Sequence, residues 1–185
     1  MTGWMGDLRQ KQYLPVRQSK VMSPQEKAFL LSNEVEMLAY QIIASSEDFF
    51  ELQKLLKDMN KYDYTPEQHK LLQEAIIISS TVQSNDYARF FRLFKSSNYM
   101  FSCLMLNFFE RMRRQAMAEF GNPRLFLQQE VQGSFIMSAL LLPDKLDCFN
   151  CIKGYGFSPN PQTCNFSPKN RQDADTWNTE IKKFR

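Results

Sequence analysis

The amino-acid sequence predicts a mainly α-helical fold, in which a stack of helical hairpins is followed by a smaller C-terminal module. Serine or threonine followed by proline and then by glutamate or glutamine recurs at the spacing of helix starts. Apolar residues after these starts follow the 3.6-residue period of a helix, and the first 120 residues contain no convincing strand pattern. After Gly121, glycine and proline surround short segments that can form β-structure.

The first residues differ in character from the helical region that follows. Residues 1–20 are polar, contain two glycines and a proline, and lack an apolar period, so they are predicted to be a flexible lead-in. The helical stack is predicted to span residues 21–121. Its first helix begins at the capping box Ser23-Pro24-Gln25-Glu26 and is expected to run to about Ala44.

Four further helices are expected within the stack. Their expected caps are Ser45 to Asp48, Thr65, Asn85 or Asp86, and Asn98. The last helix is expected to run to Phe120 and to be closed by Gly121, because glycine readily takes the left-handed conformation. Most starts lie about twenty residues apart, so helix pairs recur roughly every forty residues, as in right-handed stacks of TPR or HEAT hairpins.

The segment NDYARFFRLF (85–94) combines aromatic and basic residues, a combination that can also bind nucleic acid. On a helix its four rings lie within about 100° of one another, and its two arginines face the other way. A strand that stacks bases would alternate with period two and carry glycine between its aromatics. The rings are therefore predicted to form a buried stripe: Tyr87, Phe90, Phe91 and Phe94.

A small module is predicted over residues 122–170. A short helix at Asn122-Pro123 and an apolar segment at 135–142 precede a helix that starts at Pro143-Asp144. Two short segments with β-forming residues follow, at 155–157 and 163–166. Helices followed by a turn-rich hairpin predict a winged helix, and residues 171–185 are predicted to be a polar C-terminal tail.

A helical stack that ends in a winged helix resembles a PCI domain. Within that group, NDYARFFRLF and NYMFSCLMLNFFERMRRQAM (98–117) resemble the GANP-like (Sac-type) mRNA-export scaffold family, as does CIKGYGF (151–157). The matching positions in the second segment are Cys103-Leu104, Phe108-Phe109, Met112-Arg113-Arg114 and Ala116-Met117. The resemblance covers about residues 70–167. It marks Tyr87, Phe90, Phe91, Phe94, Phe108, Phe109 and Arg113 as the structural core of the motif.

The resemblance implies a non-enzymatic scaffold subunit of a nuclear transcription-export complex at the nuclear pore. The implied partners are a second PCI-domain protein and a small acidic stabilising protein, and the paired winged helices would form a platform for RNA or DNA. The resemblance also implies that Arg113 pairs with a carboxylate or caps carbonyl groups near the winged helix. The alternative is that it belongs to a solvated helix face, as charge runs usually do.

Nucleic-acid contacts are expected at basic residues of the predicted winged helix. The candidates are Lys145, Lys153, Lys169 and Arg171. They are chosen by position in the module, and they would contact phosphates without selecting a base sequence. A formal net charge of +3 is too small to demand nucleic acid by itself, so the site is expected to need the partner's winged helix.

No enzyme, metal, cofactor or membrane span is predicted. Cys148-Phe149-Asn150-Cys151 lacks the second pair of ligands that a zinc site requires, and the only histidine, His69, lies far upstream. The cysteines are expected to be free thiols in a reducing compartment. Neither a nucleophile–base pair nor a phosphate-binding glycine loop is present. Apolar runs do not exceed about four residues, as at Ala139–Leu142.

Two alternatives to the export scaffold stay open. One is a PCI subunit of another assembly, of the proteasome-lid, signalosome or initiation-factor type, which would place the protein in the cytoplasm. The other is an autonomous winged-helix protein that binds nucleic acid and uses its helical stack to dimerise.

Overall fold

The structure is a computed structural model that describes residues 9–31, 33–59, 64–122 and 130–168. The described residues are mainly helical and contain no β-strand beyond one isolated bridge, between Val131 and Phe166. The predicted mainly α-helical class is therefore confirmed. None of the described helices combines the length and apolar character needed to cross a bilayer.

Most successive helices are separated by only a few residues, whereas residues 121–132 lie between α8 and α9. In chain order the α-helices of the described residues are α1 (Leu14–Gln18), α2 (Pro24–Leu30), α3 (Glu34–Ala44), α4 (Phe49–Met59), α5 (Pro66–Gln83), α6 (Tyr87–Ser96), α7 (Tyr99–Met105), α8 (Phe109–Phe120), α9 (Gly133–Leu140) and α10 (Lys145–Gly154). A π-helical turn, Arg9–Tyr13, precedes α1, and a 3-10 turn, Leu106–Phe108, joins α7 to α8. Part of the predicted lead-in, residues 9–18, is thus helical.

The helix predicted from Ser23 to Ala44 is two helices. Its capping box is present: the Glu26 amide donates to Ser23 Oγ at 3.3 Å, and the Ser23 amide donates to Glu26 Oε2 at 2.8 Å. However, α2 ends at Leu30 and α3 begins at Glu34. Asn33 immediately precedes α3, but its side chain makes no capping hydrogen bond with that helix.

The helix starts predicted around residues 48, 65, 86 and 98 are confirmed. Asp48 Oδ1 accepts from the Glu51 amide at 3.0 Å at the start of α4. At the start of α5, the Gln68 amide donates to Thr65 Oγ1 at 3.3 Å and the Thr65 amide donates to Gln68 Oε1 at 3.1 Å. Asn98 caps α7 by accepting from the Phe101 amide at 2.9 Å.

Two details of the predicted fifth helix are wrong. The segment from 99 to 120 is interrupted by the 3-10 turn at Leu106–Phe108. Gly121 does end α8, but its φ of −81° is not left-handed. A Cβ atom at this position would lie 2.2 Å from Cζ of Phe157, so the glycine is required by packing and not by its backbone conformation.

The chain divides into two compact units. The first contains residues 1–86 and 93–107, and the second contains residues 87–92 and 108–185. In the first unit α3 packs against α4, α5 and α7. The buried apolar side chains of these helices are Val35, Leu38, Ala39, Tyr40, Ile42, Ile43, Leu52, Leu55, Leu72, Ala75, Ile78, Val82, Phe101 and Met105. Their burial supplies the main stabilisation of this unit.

The second unit has a core of its own. Its buried apolar side chains include Phe90, Phe91, Phe108, Met112, Ala116, Met117, Phe120, Val131, Ile136, Leu140, Cys148, Ile152, Phe157 and Phe166. Helices α9 and α10 pack together. Asp144 caps α10 as predicted, because its Oδ1 accepts from the Asp147 amide at 2.7 Å.

The expected wing has no ladder among the described residues. Residues 155 and 156 form a turn, and Phe166 exchanges two backbone hydrogen bonds with Val131, at 2.9 and 3.1 Å, instead of pairing with 155–157. The helix predicted at 122–123 falls largely on residues 123–129, and the predicted tail covers 171–185. Both lie outside the part of the chain that the structure describes.

Candidate functional site

The aromatic residues of the 85–94 segment lie on the inner side of α6. Phe90 and Phe91 are buried, at 0% and 3% exposed, while Tyr87 and Phe94 are half-buried. Stacking of a nucleic-acid base needs an exposed ring face. Phe90 and Phe91 therefore act as core residues. Phe94 belongs to the first unit, and the other three rings belong to the second.

Within the second unit, a cluster of rings joins α6 to α8. The centroid of Phe109 lies 5.8 Å from that of Phe90 and 5.3 Å from that of Phe91, and the two α6 rings are 5.4 Å apart. A second chain of rings runs from Tyr87 to Phe120, at 5.5 Å, and on to Phe135 of α9, at 5.4 Å. All these contacts are edge-to-face, the favourable geometry for aromatic pairs.

Arg113 connects this ring cluster to the end of α9. Its Nε donates to the Leu140 carbonyl oxygen at 3.2 Å, and its Nη2 donates to the Leu141 carbonyl oxygen at 3.1 Å. Its guanidinium carbon also lies 5.2 Å from the ring centroid of Phe109, within cation–π range. The last carbonyl groups of a helix have no partner within the helix. Arg113 was expected to pair with a carboxylate, to cap carbonyl groups or to lie on a solvated helix face. Its geometry is that of a carbonyl cap.

The neighbouring arginine has a different environment. Arg114 Nη2 donates to Glu110 Oε1 at 2.7 Å, one turn earlier on α8, and both side chains reach solvent. Exposed pairs of this kind contribute little to stability. Of these two adjacent arginines, Arg113 is therefore the one that connects separate helices.

Burial favours the neutral thiol form of Cys148 and Cys151. Cys148 Sγ lies 3.6 Å from the Gly133 carbonyl oxygen, and burial raises the pKa of Cys148 to about 12. Burial raises the pKa of Cys151 to about 11, although the nearby charge of Arg113 opposes the shift. Thiolates are the nucleophiles and metal ligands. In the described ranges, no three or more histidine, cysteine or acidic residues come together as they would around a metal ion.

Glycine and cysteine pack closely at the base of α9. A Cβ atom at Gly133 would lie 2.4 Å from the Thr163 carbonyl oxygen and 2.5 Å from Cys164 Cβ. Cys164 Sγ in turn lies 3.4 Å from the Lys145 carbonyl oxygen. These contacts, like that between Gly121 and Phe157, were not predicted. Their only sequence signal is the glycine itself, one directly after α8 and one at the start of α9, which does not identify the partner.

Two of the four basic candidates can be placed. Lys145 and Lys153 are exposed, near opposite ends of α10. They are eight positions apart on the helix, which separates their Cα atoms by roughly 12 Å along the axis and about 80° around it, so they flank one face. Lys169 and Arg171 lie outside the described residues. Leu146, on the same helix, is 67% exposed.

Comparison with known proteins bears on the same region. A family model described as the SAC3/GANP family matches residues 16–160. The chain belongs to the SAC3/GANP family. Neither the curated proteins nor the solved structures include a significant match to it. Membership of the SAC3/GANP family implies a role in an mRNA-export complex and a nuclear context. The match includes the ring cluster, Arg113, Lys145 and Lys153.

Proposed function

We propose that this protein is a non-enzymatic scaffold subunit of a nuclear mRNA-export complex, with a PCI-type stack of helical hairpins and a C-terminal winged helix. The observation that carries the proposal is the SAC3/GANP match over residues 16–160. The motif residues support it, because Arg113 and the rings of Phe90, Phe91 and Phe109 form one connected cluster in the second unit. Such a buried cluster stabilises the fold of the second unit.

The proposed partners are a second PCI-domain protein and a small acidic stabilising protein, in a complex at the nuclear pore. Exposed apolar side chains fit a subunit that binds other proteins: Phe50 is 83% exposed, Tyr99 79% and Leu146 67%. Affinity purification of the full chain from nuclei, with identification of bound proteins by mass spectrometry, tests this. Recovery of a PCI protein together with export factors is expected. Recovery of proteasome-lid, signalosome or initiation-factor subunits instead would replace the proposal with the other PCI assembly.

RNA or DNA is proposed to bind along α10, through Lys145 and Lys153, with Lys169 and Arg171 as further contacts. Affinity for single-stranded RNA should fall as salt rises, because lysines that neutralise phosphates release counterions. The double variant Lys145→Glu, Lys153→Glu should reduce binding by the purified PCI complex at least about tenfold at low salt. The charge-matched control is Lys20→Glu, Lys57→Glu, which changes two exposed lysines of the first unit. Equal losses in both double variants would argue against a site on α10.

The autonomous winged-helix alternative differs from this proposal in one measurement. It requires the lone chain to bind RNA or DNA with the same affinity as the complex. The scaffold proposal requires the affinity to increase when the PCI partner is added, because two lysines on one helix form a small phosphate-binding surface.

A further inference from the structure

A small cleft in the first unit lies between the middle of α5 and the end of α6. Its volume is about 130 Å³, and it is lined by Glu74, Ile77, Ile78, Leu93, Ser96 and Ser97. Pockets for drug-sized ligands and cofactors usually measure roughly 300–1,000 Å³. A volume this small fits one long side chain better than a nucleotide or a cofactor.

The interior of the cleft is apolar. Ile77 and Leu93 are half-buried, and Ile78 is 1% exposed. Aliphatic walls of this kind stabilise the methylene stem of a long side chain, because the stem leaves water without losing hydrogen bonds. The cleft therefore favours an occupant with an apolar stem.

The polar groups of the cleft are hydrogen-bond acceptors. Ser97 Oγ donates its proton to the Leu93 carbonyl oxygen at 2.7 Å, which leaves the hydroxyl lone pairs available to accept. Glu74 is exposed, and its carboxylate makes no hydrogen bond or ion pair with the part of the chain that the structure describes. A carboxylate also only accepts hydrogen bonds. The matching occupant is a cation that only donates them, and an anion such as phosphate is excluded by the charge of Glu74.

We propose that this cleft binds an arginine side chain presented by a partner protein. The guanidinium would donate to the Glu74 carboxylate and to Ser97 Oγ, while the three methylene groups of the stem contact Ile77 and Leu93. Arginine fits better than lysine because its planar fork presents several donors at once to a carboxylate and its neighbour. Arginine is also enriched among the residues that dominate binding energy at protein interfaces. The inference does not depend on the export role.

The test uses n-propylguanidinium as the probe for an arginine side chain, titrated into the 15N-labelled full-length protein and followed by NMR. Saturable shift changes are expected at the backbone amides of residues 74, 77, 93 and 97, with a dissociation constant in the millimolar range because the probe is small. Glu74→Gln, which keeps the shape and removes the charge, should weaken binding at least about fivefold. Glu67→Gln, at an exposed position on the same helix, is the matched control and should leave binding unchanged.

Three outcomes would overturn the inference. The first is the absence of saturable shifts at these amides. The second is equal binding by Glu74→Gln and the unchanged protein. The third is binding of n-propylammonium as tight as that of n-propylguanidinium, since it would remove the basis for choosing arginine. Because none of these measurements involves nuclear partners or RNA, their failure is distinguishable from failure of the proposed export function.

Discussion

The guanidinium carbon of Arg113 lies 5.2 Å from the ring centroid of Phe109, one turn earlier on α8. The same side chain donates two hydrogen bonds to carbonyl groups at the end of α9. One residue of the family motif thus connects the ring cluster to a helix that lies more than twenty residues later in the chain. Through these contacts the motif helps to hold α8 and α9 together within the second unit.

Replacing Arg113 by alanine should lower the free energy of unfolding by about 2–4 kcal/mol. The substitution removes two hydrogen bonds from a charged donor and a cation–π contact, and it leaves two carbonyl groups without that partner. Arg113→Lys should recover only part of the loss, because an ammonium lacks the planar fork. Urea unfolding followed by circular dichroism measures both changes.

Glu110→Gln is the control variant for Arg113→Ala. It removes the exposed ion pair with Arg114, so the expected loss is no more than about 1 kcal/mol. If Arg113→Ala cost as little as Glu110→Gln, the two carbonyl hydrogen bonds would contribute little to stability and the capping role would be wrong.

Gly121→Ala should destabilise the protein by about 1–3 kcal/mol, because the added methyl group overlaps the buried ring of Phe157. Gly154→Ala is the matched control: no atom lies within 4 Å of a Cβ added there, and the residue is the last of α10. That change should be neutral or stabilising by up to about 1 kcal/mol, since alanine favours a helix more than glycine does. Thermal unfolding of the two variants measures both changes in stability. Equal changes would contradict the packing argument.

Stability should fall as pH rises above about 9. The pKa of Cys148 is raised from 9.0 to about 12, that of Cys151 from 9.0 to about 11 and that of Tyr155 from 10.0 to about 12, mainly by burial. Above its ordinary pKa each group loses its proton more readily in the unfolded chain than in the fold. The unfolded state then binds fewer protons, so alkali favours unfolding.

Tyr155→Phe isolates one part of this pH dependence. It removes a titrating hydroxyl with little change in side-chain volume. The decline in the free energy of unfolding between pH 10 and 12 should therefore become shallower. Urea midpoints measured from pH 8 to 12 for both proteins test the expectation. A midpoint that stays constant or rises with pH in the unchanged protein would contradict it.

Thr65→Ala should lower the free energy of unfolding by about 0.5–2 kcal/mol. The hydroxyl accepts from the Gln68 amide, so its loss leaves the first turn of an 18-residue helix without that cap. Ser80→Ala, on the exposed side of the same helix, removes only a bond from Ser80 Oγ to the Ile77 carbonyl oxygen and should cost less than about 0.5 kcal/mol. Circular dichroism and urea unfolding provide the comparison.

The helix starts were predictable because capping is local. Ser23 and Glu26, or Thr65 and Gln68, bond across three residues, and that spacing is visible in the sequence. The break before α3 and the 3-10 turn at Leu106–Phe108 were not predictable, because the apolar period continues through both. In those places the packing of neighbouring helices determines where regular hydrogen bonding stops.

Contacts between distant segments were the hardest to predict. The sequence singled out Arg113 but did not identify the carbonyl groups of Leu140 and Leu141 as its partners. It placed β-forming residues at 163–166 but paired them with 155–157, whereas Phe166 bonds to Val131. β-forming composition identifies a segment able to pair, while the choice of partner depends on the tertiary fold.

The backbone conformation of Leu141 is energetically unfavourable for leucine, and it links this residue to Arg113. Its φ of 52° is left-handed, a conformation that costs a leucine roughly 1–2 kcal/mol, and Arg113 holds its carbonyl oxygen. Glycine at 141 would adopt this backbone freely and would depend less on the arginine. Related sequences that lack the arginine should therefore carry glycine or asparagine at the position equivalent to 141, so the two sites are expected to evolve as a pair.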